Sequence, residues 1–427
     1  MASPSSTDTS VRFATLTAVA MVGQQIAGRA ASNTLFLTYF PVDLLPRAMA
    51  VSAALSALGV FLFARVLTRR GPARSVPALF LTSGALFFLE WLLSYPAPRL
   101  SALAVYGHTA LFGATLTSAF WSLINERFDP FTAKRVVSRI TSGSTVGGIV
   151  GGLLAWRIGQ HATVSAVPAG LGTLCILAAI LVRPVAQGAR PSAPSVAGGS
   201  GMPAGSAPSV GAILTTVRRT PYLRALAGLV LLGALIQALL DFSLSAEAAA
   251  AYGKGEALLT FFAFFYTTTG ILSFALQSTV TRRALETFDL SGTMAALPAA
   301  VVMAVLARPF LPPLAMAALA RGAESTVRSS LFRAGYELLY TPLPQREKRP
   351  TKMVIDVGID RLGSGLGAAV SGAVLLLPAD LSERVLSRLV MALAIGAFSL
   401  SRALHRFYVQ ALEKNLRSGV LRLDQQE

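Results

Sequence analysis

The chain is dominated by apolar runs of about 20 residues, the length an α-helix needs to cross the hydrocarbon core of a bilayer. They recur over 13–37, 47–66, 75–94, 100–124, 135–157 and 163–182. After a gap they resume over 221–246, 257–281, 291–307, 311–334, 353–377 and 384–404. Lipid offers no partner for a backbone N–H or C=O, so runs of this length predict helices. The predicted fold class is all-α and polytopic, with about 12 transmembrane helices. Composition agrees, since 53% of the 427 residues are hydrophobic and only 13% are charged. A soluble protein carries about 25% charged residues.

The formal net charge is +17. In a soluble chain such a surplus points to nucleic acid. Here no basic stretch carries the aromatic side chains that stack on bases, so nucleic acid is not an expected partner. The basic residues alternate from loop to loop instead. Arg65, Arg69, Arg70 and Arg74 follow the second run, and Arg127, Lys134 and Arg135 the fourth. Arg183, Arg190, Arg218 and Arg219 flank the gap, Arg282 and Arg283 follow the eighth run, and Arg346, Lys348, Arg349 and Lys352 the tenth. The tail carries Arg406, Lys414, Arg417 and Arg422, whereas the odd loops hold only Arg47, Arg99, Arg157, Lys254, Arg308 and Arg384. The positive-inside rule then places the even loops and both termini in the cytoplasm, which implies a cytoplasmic-membrane protein. The opening MASPSSTDTS has no basic n-region, and Gln24, Gln25, Arg29 and Asn33 interrupt the first run. That is no signal-peptide core, and the run is expected to remain as a membrane helix.

Several chemistries are disfavoured by residue counts. One cysteine, Cys175, allows no intramolecular disulfide and no cysteine-cluster metal site. His108, His161 and His405 lack metal-ligand spacing, and no G-x-S-x-G elbow is present. No metal, no cofactor and no enzymatic activity are expected.

Domain organisation follows from the gap. Residues 184–209, PVAQGARPSAPSVAGGSGMPAGSAPS, are dominated by Pro, Gly, Ser and Ala and read as a flexible linker. The expected plan is a cytoplasmic tail over 1–12, a six-helix bundle over 13–183, the linker, a second bundle over 210–404 and a cytoplasmic tail over 405–427. Residues 210–220, VGAILTTVRRT, read as a short amphipathic helix on the membrane surface. The halves echo each other. FWSLINERFDPFTAKR (120–135) leads into SGSTVGGIVGG (142–152), and LFRAGYELLYTPLPQREKRPTK (331–352) leads into RLGSGLGAAVSG (361–372). RVLTRRG (65–71) and VTRRALE (280–286) correspond in kind. Two parallel repeats joined by a long cytoplasmic linker are the plan of the major facilitator superfamily.

Ionised side chains inside a bilayer line a wet path or pair with one another. Gln25, Arg29 and Asn33 are four apart and share a helix face, which reads either as a cavity lining or as an interhelical hydrogen-bond seam. Asp241 stands alone in LIQALLDFSLS (235–245), placed to pair an Arg or to relay a proton. In the tenth run Glu324 pairs by spacing with Arg328, and Arg333 with Glu337, leaving Arg321 over. That positive excess suggests an anionic ligand, with a structural network as the alternative. Lys352, Asp356 and Asp360 are again four apart, with Arg361 beside them. The glycine-rich stretches lack the Lys-Ser or Lys-Thr of a phosphate-binding loop and read as close helix packing. Glu90 and His108 read as satisfied interhelical hydrogen-bonding groups, with a proton relay as the alternative.

FWSLINERFDPFTAKR with SGSTVGGIVGG, LLDFSLSAEAAAAY (239–252) and ELLYTPLPQREKRPTKMVIDVGIDRLGSGLG (337–367) resemble the nucleotide-transporter (ATP/ADP translocase-like) branch of that superfamily. The likeness runs from the first to the eleventh helix. It keeps Lys352, then Ile355, Asp356 and Val357, with Arg361 and Gly363 after them, and it keeps Lys134 and Arg135. The family's R-x-x-K-D-T-L pattern stands here as Arg29, Ser32, Asn33, Thr34 and Leu35, so its Lys and Asp are missing. Thr132 stands where the family carries an acidic residue, and both departures bear against ATP/ADP exchange itself.

The resulting expectation is a monomeric secondary transporter in the lipid bilayer, working by alternating access on a small anionic solute such as a nucleotide or phosphorylated metabolite. Helices 1, 4, 5, 7, 10 and 11 would line the path. Arg29, Asn33, Arg139, Arg328 and Lys352 are the expected substrate-binding residues. Asp241, Glu337, Asp356, Arg361, Lys134 and Arg135 are expected in gating or proton coupling. A proton-coupled facilitator for another small molecule and a non-transporting scaffold or sensor remain as alternatives.

Overall fold

The computed structural model describes residues 4–128, 130–187, 210–279, 289–341, 343, 348 and 351–417. These are helical, with no strand among them. The first helices are α1 (Pro4–Tyr39), α2 (Leu45–Arg70), α3 (Pro72–Leu93), α4 (Pro98–Arg127), α5 (Pro130–His161) and α6 (Val167–Gln187). Then come α7 (Val210–Arg219), α8 (Pro221–Tyr252), α9 (Glu256–Thr279), α10 (Asp289–Leu306), α11 (Pro313–Val327), α12 (Arg333–Leu338), α13 (Asp360–Val374) and α14 (Ala379–Arg417). Two π-helical segments, Arg328–Phe332 and Val354–Ile359, join α11 to α12 and lead into α13.

The described residues of the twelve apolar runs fall mostly on helical structure, and several helices overrun their runs. α1 starts at Pro4, so residues 4–12, expected as a tail, extend the first helix. α14 likewise carries the chain to Arg417. Residues 184–187 complete α6, and the rest of the expected linker lies outside the described residues. Prolines open α3, α4 and α11, where a missing N–H is harmless. Gly71, at φ 73°, turns α2 directly into α3.

Among the described residues, seven helical stretches are long and apolar enough to cross a membrane on those criteria alone. α1, α4 and α5 have the length but are too polar, and the π segments interrupt the stretches around α11 and α13. These are five of the six helices expected to line a path. Large apolar side chains stay exposed on the helices, among them Phe61, Leu89, Leu153, Phe264 and Leu366, as suits a lipid solvent.

The chain forms two compact units, Met1–Ser200 with Ala248–Ile271, and Gly201–Glu247 with Leu272–Glu427. Segment 248–271, expected in the second bundle, packs with the first unit. The Gly255 N–H donates to Thr38 Oγ1 at 3.1 Å, and Asn33 Nδ2 donates to Tyr266 Oη at 2.8 Å, tying it to α1.

In the first unit, glycines bring α5 against α1. A Cβ on Gly143 would meet Thr15 Cγ2 at 2.6 Å, one on Gly147 would lie 2.8 Å from Val19 Cα, and one on Gly151 would lie 2.7 Å from Gly23 Cα. In the second unit Gly363 and Gly367 do the same against α8. Their Cβ atoms would meet Leu231 O at 2.6 Å and Ala238 Cβ at 2.6 Å. Small residues at four-residue spacing thus set a backbone-to-backbone approach in both units. Gly143, Gly147 and Gly151 face Thr15, Val19 and Gly23; Gly363 and Gly367 face Leu231 and Leu235.

Candidate intramembrane charge site

The second unit gathers its charges on α8, α11 and the first π segment. Arg321, 6% exposed, donates through Nε to Asp241 Oδ1 at 2.5 Å and through Nη2 to Asp241 Oδ2 at 3.4 Å. Its Nη1 donates to Glu324 Oε2 at 2.5 Å. Glu324, wholly buried, accepts from Arg328 Nε on its other oxygen. Arg328 Nη2 donates to the Gly233 carbonyl at 2.8 Å, and its guanidinium lies over the Phe332 ring. The charges therefore alternate as Asp241, Arg321, Glu324, Arg328, two negative and two positive. The i,i+4 pairing of Glu324 with Arg328 was readable from spacing. Arg321, read from sequence as left over, is instead the centre of the chain, because α8 brings Asp241 to it from 80 positions away. Arg328 starts the π segment, a helix defect that recurs at functional sites.

A second cluster sits at the other π segment. The Tyr336 and Tyr340 hydroxyls both donate to Asp356 Oδ1, the latter at 3.0 Å, and they lie 2.7 Å apart. The Lys352 ammonium lies over the Tyr340 ring at 5.6 Å. Asp360 pairs with Arg361 at 3.7 Å, and Arg328 and Glu324 also act on it. Lys352, Asp356 and Asp360 were expected on one face. Lys352 and Asp356 share Tyr340 as a neighbour across the π segment, whereas Asp360 pairs with Arg361.

In the first unit the polar stripe of α1 divides. Gln25 Nε2 donates to Thr117 Oγ1 at 2.5 Å and to the Gly113 carbonyl at 3.3 Å, a seam with α4. Asn33 is engaged with Tyr266 on α9. Arg29, between them, is exposed and has no ion pair or side-chain hydrogen bond among the described residues.

Arg139 lies at a groove of about 550 Å³ between α1 and α5, lined also by Arg12, Thr15, Leu16 and Ser142. It is exposed and reaches Asp8 at 3.4 Å. The side chains of Lys134, Arg135 and Glu337 lie outside the described residues. The sequence reading did not find Tyr336, Tyr340, Tyr266 or the Gly233 carbonyl. The four-residue spacing of the two tyrosines was the one available signal.

No family model and no curated protein matches the chain. Solved structures do. A POT-family peptide transporter in complex with sulfate superposes with a TM-score of 0.62 over 95% of this chain and 95% of its own, at 11% identity. The nucleoside transporter NupG gives 0.58 over 92% and 99%, at 14% identity. A bacterial homologue of the human lysosomal transporter Spinster, inward-facing and unoccupied, gives 0.58 over 98% and 99%, also at 14%. The chain has the major facilitator fold. At these identities the likeness establishes the architecture alone.

Proposed function

We propose that the chain is a secondary transporter working by alternating access, with an anionic solute such as a nucleotide or other phosphorylated metabolite as its substrate. One observation carries this reading: Arg29 stands open on α1 without a counter-ion among the described residues. A guanidinium among membrane helices costs about 2.5–3.5 kcal/mol or more to place there. It is retained where it meets water or an anion, and its planar fork suits phosphate and carboxylate oxygens. The resemblance of residues 120–152, 239–252 and 337–367 to ATP/ADP translocase-like sequences supports the same solute class. The missing Lys and Asp after Arg29 favour a substrate other than an ATP/ADP pair. Arg139 adds positive charge in the first unit and Lys352 in the second, and Asp356, Arg361 and the Asp241–Arg328 chain are the candidate gating groups.

A thermal-shift panel on the purified protein tests this. ATP, ADP, inorganic phosphate or a sugar phosphate is expected to raise the melting midpoint, and Arg29→Ala is expected to abolish the rise. Stabilisation by a neutral or cationic compound, with all phosphates inert, refutes the anion reading.

A second reading has its own support. The charges from Asp241 to Arg328 balance one another, which leaves no surplus cation there for an anion and suits proton-coupled transport of another small molecule. Asp241→Asn abolishing proton-driven uptake, with nucleotides inert, would select it.

A further inference from the structure

The charged groups discussed so far leave out a buried set in the first unit. Glu90 on α3 and His108 on α4 meet with Oε1 2.9 Å from Nδ1, and their side chains are 8% and 4% exposed. Ser83 Oγ lies 2.8 Å from His108 Nε2 and 3.6 Å from Cys175 Sγ on α6. The imidazole stacks on Phe87 at 3.9 Å between centroids, with the edge of Phe112 at 4.8 Å. Glu90 Oε2 is buried and has no hydrogen-bond partner. Cys175 is the one other titratable group brought to the set among the described residues; α1 and α2, which also pack on α4, add no hydrogen bond or ion pair to it.

We propose that Glu90 and His108 form a proton-binding site, which exchanges its proton with the side of the membrane reached by the α3–α4 turn. A carboxylate and an imidazole holding one proton between them are neutral as a pair. Losing that proton strands a negative charge, and gaining another strands a positive one. Either costs several kcal/mol in a dry site without other charges. The pair therefore keeps one proton while occluded and exchanges it when water arrives. Glu90 Oε2 is the place of arrival, an acceptor left without a hydrogen. It is also close to the surface. Glu90 lies three residues before the end of α3 at Leu93, about 4.5 Å of helix. The turn beyond carries exposed Tyr95.

The neighbours accommodate both positions of the proton. With the proton on His108, Nδ1–H donates to Glu90 Oε1 and Nε2–H to Ser83, whose hydrogen turns to Cys175 Sγ. Passing it to Glu90 across the Nδ1–Oε1 contact leaves the ring's remaining hydrogen on Nε2, so Ser83 accepts in both positions and the Nδ1–Oε1 bond survives in both. In the transport reading this site carries the coupling ion. Proton binding itself does not depend on that reading.

The test uses the full protein labelled with ¹⁵N-histidine in liposomes, read by solid-state NMR over a series of pH values. The chain has three histidines, so His108→Asn assigns the signal. The His108 ring is expected to pass between neutral and imidazolium forms, and Glu90→Gln to lose the imidazolium signal at every pH. Ser83→Ala, a milder change, is expected to keep the transition and move its midpoint. A ring fixed in one state throughout, and the same in Glu90→Gln, overturns the proposal and leaves a structural hydrogen bond. A preserved transition in a protein that ignores every phosphate compound refutes the anion reading and leaves the proton site standing.

Discussion

Replacing Gly151 by alanine tests the close approach of α1 and α5 most directly. The new Cβ would lie 2.7 Å from Gly23 Cα and nearer still to the Gly23 carbonyl oxygen. Carbon atoms in contact sit about 3.5–4.0 Å apart, so the helices must separate by about 1 Å. Overpacking of a filled interior costs about 1–3 kcal/mol. The upper end applies, because the obstacle is backbone and no rotamer change can clear it. Alanine returns up to about 0.8–1.0 kcal/mol of helix propensity. The net loss is about 2 kcal/mol, or about 30-fold in the population of the opened unit. Gly148 on the same helix is the control, since its Cβ would meet Ile26 Cγ1 at 3.8 Å, an ordinary contact. Cys175 supplies the assay: it is the sole cysteine, 1% exposed, on α6, which packs against α1. Maleimide labelling of Cys175 in detergent is expected to speed up about 30-fold in Gly151→Ala. In Gly148→Ala it should range from unchanged to about fivefold slower. Equal labelling of both variants would show that the glycine spacing does not set the packing.

Arg321→Leu is expected to destabilise the second unit by about 3–5 kcal/mol, since it strands Asp241 and takes one partner from buried Glu324. Asp241→Asn added to it should recover part of the loss, which hydrogen exchange in α8 and α11 would register; a double variant worse than the single one contradicts the pairing. Asn33→Ala is expected to cost about 1 kcal/mol through the lost hydrogen bond to Tyr266. In a Tyr266→Phe background the same change should cost little more, and full additivity of the two in thermal melts would exclude the contact. Arg29→Leu is expected to leave the melting midpoint of the ligand-free protein unchanged or raised, because the side chain has no ion pair to lose; a drop of several degrees would assign Arg29 a structural role.

Local patterns were legible in the sequence where a single helix decides them. The apolar runs gave the helices, and the glycine spacing on α5 and α13 gave the close-packed faces. Glu324 and Arg328 paired as their spacing predicted. Patterns that require two helices to meet were read less well. The π segment that spans Asp356, between Lys352 and Asp360, has no obvious sequence mark. The stripe on α1 looked uniform, yet it holds two bonded amides and one open guanidinium.

By itself the sequence determined the solvent and the helices, since hydropathy and residue spacing act along one chain segment. Only the tertiary structure decided which charges met. Asp241 found Arg321, Glu90 found His108 and Asn33 found Tyr266 because the packing of helices set their relative register. A side chain's counter-ion is a property of two surfaces, and one-dimensional spacing carries information about just one of them.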